Sequence, residues 1–430
     1  MAEERIIRVN AISRVEGEVA LLVRLRGVNV ERVELQIYEP PRFFEAFLRG
    51  RRVEEVPDIV ARICGICPVA YQMSAVHALE QALRVQVPGE LHALRRLIYC
   101  GEWIESHALH IHLLHAPDFH GCASGLELAG RYREEVQRGL RLKKYGNHLL
   151  EMLGGRAIHP VNVAVGGFYA LPRRDTLAAL IPNFEWGVEA ACDMVRWIAT
   201  FSFSDFEQDY DFIALTHPDE YPLNVGDLIS SDGTTWPATQ FEKAFSESQV
   251  PHSTALHCQR IGKNRPYFVG PLARVNLNFE RLSPRAKQLA EEIGFEVPCR
   301  NPFRGVIARG LEVIHAFEEA LQILKSYEPS QPRARLTVSA GEGCAATEAP
   351  RGTLYHRYVV DEQGLIREAK IVPPTSQNQR QMEQDLRDWL PRVKDEPEAM
   401  IAESCERVLR NYDPCISCST HFLRLTLERQ

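Results

Sequence analysis

The sequence predicts an α+β fold that is predominantly helical, a bundle of long helices with small antiparallel sheets at its periphery. Three stretches indicate this. Residues 5–38 alternate apolar and polar side chains, with the period of two that is typical of half-buried strands. From residue 41 to 327 the apolar spacing lengthens to that of helices, and residues 335–373 return to strand-like patterning.

Proline and glycine refine this assignment in chain order. Gly17, inside the N-terminal sheet, marks a bulge or a tight approach. Pro68 fits the first turn of a helix, whereas Pro182 predicts a break. The turn 361–364 joins the last two strands of the β-rich segment. The segments with helical patterning are 68–83, 89–115, 128–153, 174–204, 283–293, 304–327, 378–389 and 396–411.

No internal repeat or linker divides the chain, so we expect one large domain over residues 1–430. Its hydrophobic content of 45% is ample for a core. The expected parts are an N-terminal antiparallel sheet (1–40), a mainly helical bundle (41–327) with a loop-rich stretch near 205–280, a β-rich segment (335–373), C-terminal helices that lead to a Cys-x-x-Cys box (378–421) and a short extension (422–430).

Composition excludes several classes of protein. The net charge of −7 gives no basic surface for nucleic acid. The N-terminus is charged where a signal peptide would be apolar, and no window approaches the length of a membrane span. The eleven cysteines are scattered through a long chain, which favours reduced thiols and metal ligation. We therefore expect a soluble, cytoplasmic protein without a direct membrane span.

Two Cys-x-x-Cys pairs lie near opposite ends of the chain, Cys64 with Cys67 and Cys415 with Cys418. This spacing lets two thiolates converge on one metal ion, and Gly65 would allow a close backbone approach. Four such cysteines most often form a structural zinc site, and an iron–sulfur cluster is a further alternative. Structural zinc pairs are usually close in sequence, however, so the wide separation suits a deep site that a whole domain assembles.

The boxes around these pairs, Arg62-Ile63-Cys64-Gly65-Ile66-Cys67 and Asp413-Pro414-Cys415-Ile416-Ser417-Cys418-Ser419-Thr420-His421, resemble those of the large, catalytic subunit of nickel–iron hydrogenases. Further segments extend the resemblance over nearly the whole chain: Arg14-Val15-Glu16-Gly17, Ser106-His107-Ala108-Leu109-His110, His159-Pro160 through Gly166-Gly167, and Glu348-Ala349-Pro350-Arg351-Gly352. The segment 68–72 is most similar to the cytosolic, reversible, nicotinamide-linked branch. The resemblance implies the large-subunit fold and reversible cleavage of dihydrogen.

The resemblance also implies a metal centre. Cys64 and Cys415 match terminal nickel ligands, while Cys67 and Cys418 match the thiolates that bridge nickel to an iron carrying carbon monoxide and two cyanides. Soft thiolates suit nickel, and the diatomic ligands keep the iron low-spin. Because dihydrogen has neither charge nor a lone pair, its cleavage is heterolytic and needs a nearby base for the proton.

Two bases are candidates. One is the sulfur of Cys415, which would pass the proton to Glu16, the match to the carboxylate that opens the family's proton path; from position alone Glu16 would be a sheet-surface residue. The other is Arg351, whose high pKa favours positioning over base catalysis. The resemblance implies that Asp413 pairs with Arg351 and that the Thr375 hydroxyl donates to cyanide.

A second metal is implied near the C-terminal histidine, magnesium or iron, with Glu45 and His421 as its protein ligands. Without the resemblance Glu45 would be an ordinary helix residue. In most relatives a protease cuts after the residue that matches His421. Because residues 422–430 follow it, we expect the sequence to be an unprocessed precursor.

The resemblance implies partners as well. Electrons would leave through a small subunit that carries iron–sulfur clusters, and flavin or diaphorase-type subunits would then reduce NAD or NADP. A maturation protease and nickel-insertion proteins would act on the chain. The chain itself lacks a dinucleotide fingerprint. The cysteines outside the boxes form no second cluster motif: Cys100, Cys122, Cys192, Cys258, Cys299, Cys344 and Cys405.

Some positions depart from the family pattern. Tyr71 stands where many relatives have a histidine bonded to a bridging sulfur, so that contact is either phenolic here or lost. Ser106 stands where an aspartate is common. Four histidines on the long helix could resemble a zinc site, but their spacing scatters them over more than one face, and we interpret them as buried hydrogen-bonding residues. They are His107, His110, His112 and His115.

Other functions compete with the cytosolic hydrogenase subunit. A membrane-bound hydrogenase would have the same residues. The quinone-site subunit of respiratory complex I is homologous, but it has lost the cysteine pairs that are present here. A structural zinc protein would contain zinc and show no activity.

Overall fold

The computed structural model describes residues 4–27 and 29–420 and contains a helical bundle bordered by small antiparallel sheets. The strands are β1 Glu4–Val9, β2 Val19–Arg26, β3 Asn29–Ile37, β4 Val163–Ala164, β5 Gly167–Phe168, β6 Ile213–Thr216, β7 Asp227–Ser230, β8 Thr235–Trp236, β9 Phe245–Ser248, β10 His257–Arg260, β11 Gly341–Ala349, β12 Gly352–Val360 and β13 Ile366–Val372. The predicted fold class is confirmed.

More of the described residues lie in helices than in strands. They are α1 Phe44–Leu48, α2 Val56–Val60, α3 Pro68–Leu83, α4 Gly89–Leu109, α5 Ala116–Phe119, α6 Gly125–Arg131, α7 Arg133–Gly154, α8 Arg174–Ala178, α9 Ile181–Ala199, α10 Phe241–Ala244, α11 Pro271–Asn278, α12 Pro284–Glu292, α13 Gly305–Ser326, α14 Pro374–Val393, α15 Glu398–Arg410 and α16 Ile416–Ser419. In the described part of the chain, no helix combines the length and the apolar composition that crossing a membrane requires.

The bundle centres on α4, which packs against α7 and α13, while α13 also packs against α9. Residues 94–108 of α4 are buried on every side. Glycines allow the closest of these contacts, because a Cβ on Gly146 would lie 2.7 Å from the carbonyl oxygen of Gly101. Beyond Leu109 the helix widens into a π-helical segment, His110–His115.

Two three-stranded sheets border the bundle. In the sheet β1-β2-β3, alternate residues of β2 from Val19 to Leu25 point into the core, as the period of two predicted. In the sheet β11-β12-β13, the turn 361–364 joins the last two strands, and the predicted hairpin is confirmed. The remaining sheets are short and lie mainly in the loop-rich stretch.

The helix boundaries differ from the sequence prediction in explicable ways. Pro182 does mark a break, but it lies in the first turn of α9, where its missing amide costs nothing. The segment predicted from 128 begins only at Arg133, because α6 ends at Arg131 and Tyr132 leaves helical geometry. The helix expected at 378–389 begins earlier, at Pro374, which brings its first turn to the metal box.

Candidate metal centre

The four box cysteines meet at one buried point between the ends of secondary-structure elements. Cys64 follows a short 3-10 turn and Cys67 directly precedes α3. Cys415 precedes α16, and Cys418 lies within it. The backbone amides of Ile66 and Cys67 donate to the Cys64 sulfur at 3.3 and 3.2 Å, so the tight turn of the first pair orients that sulfur.

The sulfurs are spaced as metal ligands. Cys64 Sγ lies 3.6 Å from Cys415 Sγ, and Cys67 Sγ lies 3.9 Å from Cys418 Sγ. Thiolates on one tetrahedral metal ion, with bonds of about 2.3 Å, are about 3.8 Å apart. Within the second pair, Cys415 and Cys418 approach to 2.7 Å. The two distances between the pairs therefore fit a thiolate-bound metal centre, whereas Cys415 and Cys418 lie closer together than two thiolates on one ion.

The protein environment shifts the pKa values of Cys64 and Cys415 in opposite directions. Hydrogen bonds from neighbouring thiols, first that of Cys415, hold the pKa of Cys64 well below its ordinary value. Burial raises the pKa of Cys415 well above its ordinary value. Cys64 is thus the thiol that ionises most readily of the two, whereas Cys415 holds its proton.

Glu16 contacts the cluster directly. It lies in the connection between β1 and β2, not on a sheet surface as its position alone suggested. Its Oε2 accepts from Cys415 Sγ at 2.9 Å and from the Ser417 amide at 3.1 Å, and its carbonyl oxygen accepts from the Ile416 amide at 2.9 Å. Glu16 is half-buried and its neighbour Glu18 is exposed, so this carboxylate joins the buried thiol to the surface.

Gly17 makes this contact possible. Its φ of 87° lies in the left-handed region, and a Cβ there would lie 2.8 Å from Ile416 Cβ and 2.5 Å from Glu39 Oε1. The predicted tight approach is confirmed. The corresponding prediction at Gly65 is wrong, because a Cβ on Gly65 would meet no atom of the described residues within 4 Å.

Arg351 and Asp413 form a buried pair beside the sulfurs. Arg351 Nε donates to the Asp413 carbonyl at 2.7 Å, and Nη2 donates to Oδ1 at 3.2 Å. Arg351 Nη1 is buried without a hydrogen-bond partner among the described residues. Although burial alone would lower the pKa of Arg351, Asp413 and the cysteine sulfurs raise it well above its ordinary value, which keeps the guanidinium charged. The pairing expected from the sequence is present.

A second arginine, Arg309 on α13, lies on the other side of Asp413, with Nη1 3.7 Å from Oδ2. Burial, Arg351 and Arg274 together lower its pKa to about 10. Arg309 could not be predicted from the sequence, because an arginine within an apolar helical pattern carries no signal of the residue it will face.

Thr375 lies in the first turn of α14, and its Oγ1 accepts from the Cys415 amide at 3.1 Å. Glu45 lies on α1, where its Oε1 accepts from the Ile371 amide at 2.8 Å and burial raises its pKa to about 7. His421 and the extension 422–430 lie outside the described residues.

Buried charges behind the centre were also missed. Glu102 on α4 accepts from the amides of Val69 and Ala70 at 2.6 and 3.0 Å, and so caps the first turn of α3 next to Cys67. Arg274 on α11 is fully buried and donates to backbone carbonyls of the turn that carries Arg351. In the sequence, the only signal of these two residues is that each is a polar residue inside an apolar pattern.

The positions that depart from the family pattern are buried too. Tyr71 Oη has no hydrogen-bond partner among the described residues, so its phenolic contact to a sulfur is not formed, and its ring lies 5.7 Å from that of His356. Ser106 Oγ is likewise without a described partner. His107 binds Glu312 at 2.9 Å, and His110 binds the Arg410 carbonyl at 2.9 Å. Among the described residues, the helix histidines form no metal-ligand group.

Comparison with known proteins agrees with this site. The family model of the nickel-dependent hydrogenases matches residues 42–138 and 262–421, which include all four cysteines. The chain is 35% identical to sulfhydrogenase 1 subunit alpha of Pyrococcus furiosus, over 97% of this chain and 98% of the relative. It is 32% identical to sulfhydrogenase 2 subunit alpha of the same organism, over 98% and 100%.

Among solved structures, the chain resembles an NAD+-reducing [NiFe]-hydrogenase in the H2-reduced state, with a TM-score of 0.89 and 27% identity over 98% of this chain and 100% of that one. The family match covers more than half of the sequence and includes the residues that meet at the four sulfurs. The chain therefore belongs to the nickel-dependent hydrogenases, as a large, catalytic subunit of the nickel–iron type.

Proposed function

We propose that the four cysteines hold a nickel–iron centre, with Cys64 and Cys415 as terminal nickel ligands and Cys67 and Cys418 as bridging thiolates. When bound, this centre supplies the Lewis acidity and the electron-accepting capacity for reversible heterolytic cleavage of dihydrogen. Four buried sulfurs at thiolate-ligand spacing support the assignment. Soft donors of this kind suit nickel and iron.

The observation that carries the proposal is the 2.9 Å contact between Cys415 Sγ and Glu16 Oε2. Cys415 receives the proton of dihydrogen on its sulfur and passes it to the Glu16 carboxylate, and the reverse transfer serves hydrogen production. Glu16 is already within hydrogen-bond distance of the donor, so the transfer requires no movement of the backbone. Because Glu16 is half-buried, it passes the proton from the buried sulfur towards the protein surface.

Arg351 acts as a positioning group. Asp413 accepts from two nitrogens on one edge of its guanidinium, Nε and Nη2, and the remaining buried nitrogen, Nη1, is left to donate to an anionic ligand of iron such as cyanide. The Thr375 hydroxyl keeps its proton for a second such contact, because its oxygen accepts from the Cys415 amide. The same charges exclude Arg351 as the base, since its guanidinium is held in the protonated form.

We also propose that Glu45, with His421, binds a magnesium or iron ion near the C-terminal box. The raised pKa of Glu45 supports this, because a buried carboxylate without full compensation is stabilised by a nearby cation.

The electrons leave through partner subunits. The curated relatives are named as alpha subunits, and the similar structure is that of an NAD+-reducing enzyme. We propose a small subunit with iron–sulfur clusters, followed by a flavin-containing subunit that reduces NAD or NADP. We also propose nickel-insertion proteins and a maturation protease as partners that act on the chain.

The test uses the enzyme purified anaerobically with its native partners. Elemental analysis should give nickel, and infrared spectra should contain bands of metal-bound carbon monoxide and cyanide. Zinc alone in the wild-type chain, without those bands, would instead support the structural zinc protein.

Glu16→Gln tests the proton route, with Glu18→Gln as its matched control, because Glu18 is exposed and two residues away. Glu16→Gln should keep the metals and the infrared bands and lose hydrogen–deuterium exchange, whereas Glu18→Gln should exchange at the wild-type rate. Normal exchange in Glu16→Gln would remove this residue from the route.

A further inference from the structure

Two histidines and a glutamate from distant parts of the sequence meet outside the four-cysteine centre. His252 lies between β9 and β10, His257 begins β10, and Glu383 lies within α14. One ligand atom of each side chain lies within 4.8 Å of the other two. His257 and Glu383 are buried, and His252 is half-buried. We propose that this cluster binds one divalent first-row transition metal ion, zinc or iron(II).

The distances suit one shared ion. His252 Nε2 lies 2.8 Å from Glu383 Oε1, and His257 Nε2 lies 3.9 Å from the same oxygen. Nitrogen and oxygen ligands bound at about 2.0–2.2 Å to a tetrahedral ion are about 3.3 Å apart. The two distances fall on either side of that value, so small side-chain rotations bring the three ligands around one ion. Water would complete the coordination.

His257 provides the observation that hydrogen bonding within the cluster does not explain. The residue is 5% exposed, and its Nε2 has no hydrogen-bond partner among the described residues although it faces Glu383. A buried, unpaired polar group costs about 1–3 kcal/mol. Burial, followed by the charges of His252 and Arg380, lowers the pKa of His257 to about 4. The ring is therefore neutral, which is the form that binds metals.

The charge of the Glu383 carboxylate also favours a bound metal ion. Within the described residues its carboxylate has no lysine or arginine at ion-pair distance, and its ion-pair contacts are those with the two histidines. Oε1 also accepts from the Leu35 amide at 2.9 Å. A carboxylate that is 8% exposed needs a compensating positive charge, which a divalent cation supplies.

Glu34 completes the arrangement behind the ligands. Its Oε1 faces His252 Nδ1 at 3.6 Å, on the side of the ring opposite Glu383. Arg32 donates to the same carboxylate at 2.5 Å and neutralises its charge, and the Gln36 amide donates to it at 2.9 Å. A carboxylate behind a histidine fixes the ring and leaves its other nitrogen for the metal. Glu34 is thus a positioning residue.

The ion would link α14 to the two strands that pack against it, to β10 through a ligand and to β3 through the contact between Glu34 and His252. Glu34 belongs to β3, His257 to β10 and Glu383 to α14, and both strands pack against α14. The first turn of α14 carries Thr375, which accepts from the Cys415 amide. A metal ion here would therefore hold the helix that contacts the centre, and its role is structural.

The test measures metal on the complete enzyme, purified without added metal. Elemental analysis compares zinc and iron per chain in the wild type, His257→Gln and Glu383→Gln. His148→Gln serves as the matched control, because His148 lies on α7 and takes no part in the cluster. Anomalous diffraction from wild-type crystals, collected at the zinc and iron edges, locates and identifies the ion. Because it needs no variant, it decides even where a variant fails to fold.

The proposal predicts one anomalous peak between His252, His257 and Glu383. One equivalent of the same metal should be lost from His257→Gln and Glu383→Gln and kept in His148→Gln, with nickel unchanged in all three. Glu34→Gln should weaken rebinding of zinc chloride about 10–100-fold after chelation. Absence of a peak, equal loss of metal from the control, or binding at crystal concentration only would each overturn the proposal.

Discussion

Arg274 should carry much of the stability behind the catalytic turn. It is fully buried and donates to Glu312 at 2.7 Å through two nitrogens, to Glu348 at 3.1 Å, and to the carbonyls of Ala349 and Pro350. Although burial alone would raise the pKa of Glu312, Arg274 holds it at about 2. Arg274→Met leaves both carboxylates buried without that cation, at a cost of about 3–5 kcal/mol.

Thermal denaturation of the purified enzyme measures this loss, and hydrogen-exchange mass spectrometry of the peptide around residues 349–351 locates it. The control is Arg196→Met, which also removes a two-nitrogen contact to a glutamate, Glu292, but on the surface. Exposed pairs of this kind contribute little to stability, because water and salt screen the two charges. Equal melting shifts for the two variants, or unchanged protection of 349–351 in Arg274→Met, would refute the reasoning.

Three further predictions follow from other contacts. Gly17→Ala should lower the melting temperature and slow hydrogen–deuterium exchange, because the added Cβ would lie 2.8 Å from Ile416 Cβ. Burial raises the pKa of Asp385 to about 7, so the folded chain keeps a proton that the unfolded chain loses near pH 4. Wild-type stability relative to Asp385→Asn should therefore fall by about 4 kcal/mol as pH rises from 4 to 7 in melting experiments, and a flat difference would contradict this. Arg351→Lys should keep the fold and the metals yet reduce turnover strongly in a dihydrogen-uptake assay. The reason is that a lysine cannot reproduce the contact that two guanidinium nitrogens make with Asp413. An unchanged rate would make that geometry dispensable.

Most of the fold could be predicted from local patterns. The period of two indicated the N-terminal sheet, and Pro68 indicated where α3 begins. Both signals depend on interactions within a few residues, so one sequence contains them in full. The start of α14 was missed, because its first turn is polar and buried by contacts with β12 and the C-terminal box.

The cysteines of the site were predictable for a different reason. Paired thiols at metal-ligand spacing are rare enough to be recognised without knowing what surrounds them. Arg309, Glu102 and Arg274 are not of this kind, because each is a single charged residue in an apolar segment. Their partners lie on other elements, and only the tertiary structure identifies them.

The site residues lie at the ends of helices and strands. This position explains how the site can be formed before metal binds. Cys67 precedes α3, Thr375 opens α14 and Arg351 lies in the turn between β11 and β12. Ends of elements leave backbone amides unpaired. Here those amides are already satisfied by Glu102, by Thr375 Oγ1 and by the Cys64 sulfur. The protein thus meets the hydrogen-bonding needs of these ends itself, which leaves the remaining lone pairs of the sulfurs to bind metal without rebuilding the backbone.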